Sequence, residues 1–584
     1  MAAPRWLFGI GSIIAILGGC TGQPTPPQSG SGTLPATEEL SVEVMDADQQ
    51  AFLWEIEHHG NILSRMGFSA LAKALAEDDG KALAALLDAQ FKGGLIREPT
   101  AISLHGDGLD VVRHSDSGKP AETVTNERFV AKLREYRSTF KHSVGGSKLA
   151  LMKLRPSDAD NLDASWHGTA QLRLWGQHGP GQPGEVILYL AYETARPTKE
   201  AMAGDGWLRS CTITQSQVGA SQHFLMRESA AERGLELDRL HDNWRDGQTN
   251  TTTGGVFLCD FDRDGWLDLL VTDTNGYFLY RNLGDGKFRN VTEEYGLPAV
   301  PADTNNRSLI AAWIDIDGDG WEDLILGKYV FRNEQGKRFR DVTSRANLRL
   351  PLNSTGVAVA DYDGDGRVDL YVFQPGKGKA SSWLDGKSGN PAGGGNLLFR
   401  NLGDWQFEDV TARAGVDGGD RSTFTALWLD ANDDGKPDLY VPNEFGDGVL
   451  YLNQGNGTFR PTSLSNGPCD FGTMGATCGD VDGDGRIDIY CANMYSKAGS
   501  RVIGNVRPGT YPAPILDKMR TFVRGSQMHL NRGTGKWEEK AQEWQVADAG
   551  WAYGPALIDL DNDGWLDIHA ACGFVSRDRK EPDG

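Results

Sequence analysis

CDFDRDGWLD, residues 259–268, places four carboxylates, Asp260, Asp262, Asp264 and Asp268, around one glycine, Gly265. Four like charges this close repel one another unless a cation or a set of donors neutralises them. The segment is not isolated. Asp315, Asp317, Asp319 and Asp323 follow the same spacing, as do Asp361, Asp363, Asp365 and Asp369. So do Asp430, Asn432, Asp434 and Asp438, then Asp480, Asp482, Asp484 and Asp488, then Asp559, Asp561, Asp563 and Asp567. Each copy reads D-x-[DN]-x-D-G-x-x-D, and six copies set the organisation of the chain.

The flanks repeat as well. A small or apolar run precedes each copy (GGVFLC, LIAAWI, TGVAVA, FTALWL, MGATCG, YGPALI) and a β-rich run follows (LDLLVT, EDLILG, VDLYVF, PDLYVP, IDIYCA, LDIHAA). A further strand and turn come next, as in FLYRNLGDGKF at 278–288, LLFRNLGDWQF at 397–407 and LYLNQGNGTF at 450–459. Successive motifs start 55, 46, 69, 50 and 79 residues apart. Units of three or four short antiparallel strands at this period predict a β-propeller, and six loops suggest six blades. The long intervals hold insertions at 374–395 and about 496–526, where ligand-binding loops are expected.

Aspartates at positions 1, 3 and 5 with glycine at 6 converge three carboxylates. The carbonyl of position 7 and the aspartate of position 9 complete an all-oxygen shell that suits Ca²⁺. An EF-hand would place a glutamate at position 12, where this chain has Val271, Leu326, Val372, Val441, Cys491 and Ala570. Its flanking helices are missing from the pattern too, and the same objections remove a dockerin. Calcium-binding thrombospondin repeats need dense cysteine, which is not present.

The unit resembles the FG-GAP/VCBS repeat of integrin α-subunit propellers and many bacterial surface proteins, through the six loops, the third strand and the F-x-x-V-T-x-x-x-G-L ending. The resemblance covers roughly residues 222–584. It implies one Ca²⁺ per loop, up to six, and, because integrin-type propellers have seven blades, it leaves room for a seventh blade without the motif. The chain also looks like exported proteins of the ASPIC/UnbV-associated group, whose C-terminal domain is not expected here. Residues 226–235, MRESAAERGL, mimic FRNVTEEYGL at 288–297 and are expected to lend the last unit an outer strand.

Upstream, Arg5 and the apolar run from Trp6 to Leu17 fit a secretory signal at residues 1–20. Leu17-Gly18-Gly19-Cys20 resembles a bacterial lipobox, which makes Cys20 the expected lipidation site and, with Thr21 after it, the outer membrane the expected address. Residues 21–44 read as a Pro/Gly/Ser/Thr-rich tether.

Residues 45–221 form a separate unit. Phe52, Ile56, His59, Leu63 and Met66 mark one face of a helix over Gln50–Arg65, with shorter helices expected over Ala70–Ala76 and Lys81–Gln90. Four long alternating runs follow, predicting an α+β domain, by analogy of the NTF2 type. His58 and His59 read as a partly buried surface pair.

A net charge of −22 argues against nucleic acid as the partner. Of seven cysteines none forms a C-x-x-C pair, so zinc and thioredoxin-like sites have no support. Asp385-Gly386-Lys387-Ser388 lacks the glycine and strand–helix frame of a phosphate loop. No nucleophile elbow or HExxH helix is present. The reading is a calcium-binding cell-envelope propeller that binds a protein or glycan, held to the membrane only by its lipid. The alternative is a Ca²⁺-dependent polysaccharide lyase or hydrolase on the same scaffold.

Overall fold

The computed structural model describes residues 47–572, apart from 98–108, 116–121, 225, 243–253, 300–308, 353, 376–394, 420, 465–471, 494–496, 508, 512 and 551. Cys20 and the tether, the Asp385–Ser388 segment and most of the 374–395 insertion lie outside the described residues. The chain divides into two compact units. One holds Glu43–Glu228 and Lys497–Tyr511; the other holds Ser229–Ser496 and Pro512–Gly584.

The first unit opens on a helix over Ala47–Ile62, whose Leu53 and Ile56 are buried. It runs without a break into a π-helical turn, Leu63–Phe68, and a helix over Ser69–Ala76. Asp79 caps the next helix, Gly80–Ala85, its Oδ1 accepting the amides of Lys81 at 3.0 Å and Ala82 at 2.9 Å. That helix stops well short of Gln90. Leu87–Leu95 is instead a strand, antiparallel to Glu122–Val124 and parallel to Leu208–Ser221. Tertiary pairing here overrides a helical local preference.

Ser143–Pro156, Trp166–Gly179, Gln182–Thr194 and Leu208–Ser221 make a long antiparallel meander. Its alternation is read directly from the chain: Val186, Leu188, Leu190 and Tyr192 face the core, and the residues between them do not. His59 is fully buried rather than half exposed. Its Nδ1 lies 2.7 Å from the Pro197 carbonyl and its ring meets Trp166 edge-on at 5.0 Å. Burial lowers its pKa from the usual imidazole value.

The second unit is mainly β. Five successive four-stranded antiparallel sheets begin at Val256, Ala311, Gly356, Leu427 and Thr473, each running first to fourth strand in chain order. A sixth, two-stranded sheet joins Ala552–Ile558 to Asp567–Cys572. Apolar clusters span adjacent sheets, as where Phe261 of the first stacks on Trp313 and packs against Phe339 of the second. Tyr362, Trp428 and Phe459 repeat this between the third and fourth. Trp313 and Trp428 therefore act in packing between repeats.

Residues 226–235 do not join the sixth sheet. The part of this segment within the second unit, from Ser229 on, lies on the first sheet: the Arg233 carbonyl accepts the Phe288 amide at 2.7 Å, as Tyr295 accepts Phe339 at 2.7 Å one repeat later. Leu235 and Leu240 pack with Leu269, Phe278 and Tyr280. The segment is thus the incoming connector of the first repeat. Among the described residues the two ends of the array are unpaired: Val256 is 67% exposed at one end and Ile558 47% at the other.

Candidate metal loops

Each motif forms the connection between the first and second strands of its repeat. The six loops share one hydrogen-bonded shape. In the first, Asp260 accepts the Asp264 amide at 3.0 Å and the Gly265 amide at 2.9 Å. Asp264 in turn accepts the Trp266 amide at 3.0 Å. Equivalent bonds hold Asp315, Asp361, Asp430, Asp480 and Asp559 to their own loops. Gly265 sits at φ 91°, a left-handed conformation that a side chain would strain. Position 4 is left-handed too, in Arg263, Gly318, Gly364, Asp433, Gly483 and Asn562. Glycine, asparagine and aspartate are enriched at such φ values, a pattern the sequence carried and the motif reading passed over.

The position-9 aspartates serve the fold as well as the loop. Asp268 accepts the Phe261 amide at 3.2 Å with one oxygen and the Asn282 amide at 2.7 Å with the other. Asp323, Asp369, Asp438 and Asp488 do the same in their repeats, which ties loop to third strand. Burial pushes the carboxyls of Asp268, Asp323 and Asp369 up to about 7, against the opposing pull of those amides. Asp438 rises to about 6 for the same reason.

The third-strand asparagines were not singled out from sequence, yet they join one repeat to the next. Asn333 Nδ2 donates to the carbonyl of Phe261, position 2 of the preceding loop, at 2.9 Å. Asn401 reaches Ile316 at 3.0 Å, Asn453 reaches Tyr362 at 2.7 Å and Asn531 reaches Ala431 at 3.3 Å. All four are buried. Their signal was the recurring R-N or L-N dipeptide ahead of each glycine turn.

Carboxylate oxygens converge within 4.8 Å in five loops: Asp260, Asp262 and Asp268; Asp315, Asp317 and Asp323; Asp361, Asp363 and Asp365; Asp480, Asp482 and Asp488; Asp559, Asp561 and Asp563. The fourth loop carries Asn432 at position 3. The Oδ1 atoms of Asp262, Asp363 and Asp482 are buried and accept no hydrogen bond. A buried carboxylate oxygen without a donor is costly, and the hard, all-oxygen donor set fits a calcium ion. A cation bound there would neutralise the converging charges and fix the loop.

Four stretches of the chain, 260–326, 327–372, 430–491 and 522–570, match the model of the FG-GAP-like repeat, and all six loops fall inside them. The chain is 27% identical to human cartilage acidic protein 1 over 343 residues, 56% of this chain and 47% of that protein. The Xenopus tropicalis protein of the same name is 26% identical over 269 residues, 41% of this chain and 40% of the relative. The chain therefore spans about half or less of the curated relatives it matches. Among solved structures, an Agrocybe aegerita lectin that recognises non-reducing terminal N-acetylglucosamine overlaps at a TM-score of 0.35 and 20% identity, over 55% of this chain and 75% of that one. The Vibrio cholerae biofilm matrix protein Bap1 overlaps at 0.24 and 18%, over 42% and 36%. Superpositions this loose carry no argument about this chain.

Proposed function

We propose that the chain is a calcium-stabilised β-propeller that acts as a binding or adhesion module for a protein or glycan at the cell envelope, anchored through a lipid on Cys20. The first and sixth sheets close the ring, directly or through a seventh blade, and the first unit is an NTF2-like α+β domain. One observation carries the calcium reading: three buried position-3 carboxylate oxygens, on Asp262, Asp363 and Asp482, have no donor while their neighbours converge on the same point. The repeated loops are spent on holding each repeat in shape, which leaves ligand recognition to the segments that vary between repeats.

Two experiments test this. Titration calorimetry of chelator-treated protein with Ca²⁺ should register several sites, and no heat and no change in melting temperature would refute the metal assignment. Binding to a glycan array and to envelope extract should depend on Ca²⁺. Cleavage of an acidic polysaccharide would replace the binding module with the enzyme.

A further inference from the structure

Position 3 behaves differently from loop to loop, and the difference follows one residue on the third strand. Arg281 pairs through Nε with Asp262 Oδ2 and through Nη2 with Asp264 Oδ2 at 2.8 Å. Arg400 lies 2.5 Å from Asp363 Oδ2 and 2.8 Å from Asp365 Oδ2. Arg532, two residues past the equivalent Leu530 and just beyond the end of its strand, reaches Asp482 Oδ2 at 2.6 Å. In these three loops the guanidinium holds Oδ2, and Oδ1 is the buried oxygen without a donor. The Asp262 side chain is only 7% exposed.

Loops without such an arginine differ. In the fourth, Leu452 stands where Arg281 and Arg400 stand, and position 3 is Asn432, whose Oδ1 accepts the Asp434 amide at 3.0 Å. In the sixth, where no described residue pairs with Asp561, its Oδ1 accepts the Asp563 amide at 3.2 Å. The second loop is intermediate. Arg332 grips Asp317 Oδ2 at 3.0 Å and Asp319 Oδ2 at 2.9 Å, and Asp317 Oδ1 has a long 3.3 Å bond to the Asp319 amide.

We propose that Arg281, Arg332, Arg400 and Arg532 are positioning residues of the metal loops, and that the fourth loop, which lacks both the arginine and the position-3 carboxylate, is the weak site of the array. Each arginine takes the outer oxygen of the position-3 carboxylate and turns the inner one toward the cation. It also removes one net negative charge from a crowded loop. Outer partners of this kind orient metal ligands, and their loss weakens affinity about 10- to 100-fold. The fourth loop saves that partner by giving up the charge, through asparagine. The proposal rests on the calcium reading above.

The test uses the full chain, stripped of metal, with Ca²⁺ calorimetry and Tb³⁺ luminescence sensitised by Trp266 at position 7 of the first loop. Arg281→Leu should weaken one site about 10- to 100-fold and leave the rest. Arg281→Lys, which keeps charge without the planar fork, should recover part of the loss. The paired change Asn432→Asp with Leu452→Arg should tighten one site, a gain that misfolding cannot produce. If Arg281→Leu binds Ca²⁺ as well as or better than the parent chain, the guanidinium is a competitor for the loop and the proposal falls. An unchanged fourth site in the paired variant also overturns it. No uptake by the parent chain overturns the calcium reading itself, a result distinct from both.

Discussion

Replacing Arg501 with alanine should unfold the first unit at a markedly lower temperature, although Arg501 lies more than 200 residues beyond the end of that unit's main segment. The helix Lys497–Gly504 comes from the insertion of the fifth repeat, where ligand-binding loops were expected, yet part of that insertion, Lys497–Tyr511, completes the first unit. Arg501 donates from Nε to Glu57 Oε1 at 2.8 Å and from Nη2 to Oε2 at 2.5 Å, and the two side chains are 10% and 2% exposed. Around this fork, Asn505 donates to the Leu154 carbonyl at 3.1 Å, Thr510 donates to Gln49 at 2.6 Å, and Val502, Ile503 and Tyr511 are buried.

Removing the guanidinium leaves the Glu57 carboxylate buried without its counter-ion. Breaking one side of a buried, bidentate pair costs about 3–5 kcal/mol. A unit of about 200 residues loses roughly 2–4 °C per kcal/mol, so the expected fall is on the order of 10 °C. Scanning calorimetry of the full chain measures it, read on the transition of the first unit. Arg501→Met combined with Glu57→Leu removes both charges and should recover most of the loss, because apolar replacement of a whole buried pair is often neutral. A shift below about 2 °C for Arg501→Ala, or a double variant no better than the single one, would refute the reasoning from buried charge.

Other expectations follow from the second unit. Chelation should lower its melting point, and Ca²⁺ at about 100 times its Kd should restore about 2.7 kcal/mol per site; equal melts with and without chelator would remove the metal. Asn401→Ala should cost about 3 kcal/mol, since it orphans the buried Ile316 carbonyl and the Gly403 amide; denaturant midpoints measure this. Burial pushes the Glu444 carboxyl up to about 7. A raised acid adds stability that is complete below its ordinary value and lost as pH rises through the folded one. Melting temperature should therefore fall from pH 6 to pH 8, and fall less in Glu444→Gln; parallel profiles would count against it.

The loops were legible because their chemistry is local. Aspartates at positions 1, 3 and 5 and glycine at 6 answer to sterics and ligand geometry within nine residues, and every copy shows them. Asn401 and Arg400 act over a distance that the sequence does not fix. The asparagine paired with the position-9 aspartate lies 14 residues away in the first repeat, 32 in the third and 43 in the fifth. A spacing that varies with insertion length hides a constant geometry. The strand Leu87–Leu95 was lost for a related reason, since its partners at Val124 and Cys211 are distant in the chain. Likewise nothing in residues 497–511 announces that they belong with Glu57 and Leu154.

The asparagine bridge also bears on what a bound cation does. Position 2 of each of the first four loops lies between two anchors: its amide goes to the position-9 aspartate of its own repeat, and its carbonyl accepts from the asparagine of the next. A cation that stiffens the third loop therefore acts on the junction with the fourth repeat, because Tyr362 is held by both Asp369 and Asn453. In a repeat array whose stability is a sum of repeat and neighbour terms, such a link turns local occupancy into interface stability. Asp363→Asn, which weakens the third loop alone, should speed amide exchange in Ca²⁺ at residues 361–369 and also in the strand Val449–Asn453 of the next repeat. Faster exchange confined to residues 361–369 would mean that the asparagine bridge joins the repeats without transmitting metal occupancy between them.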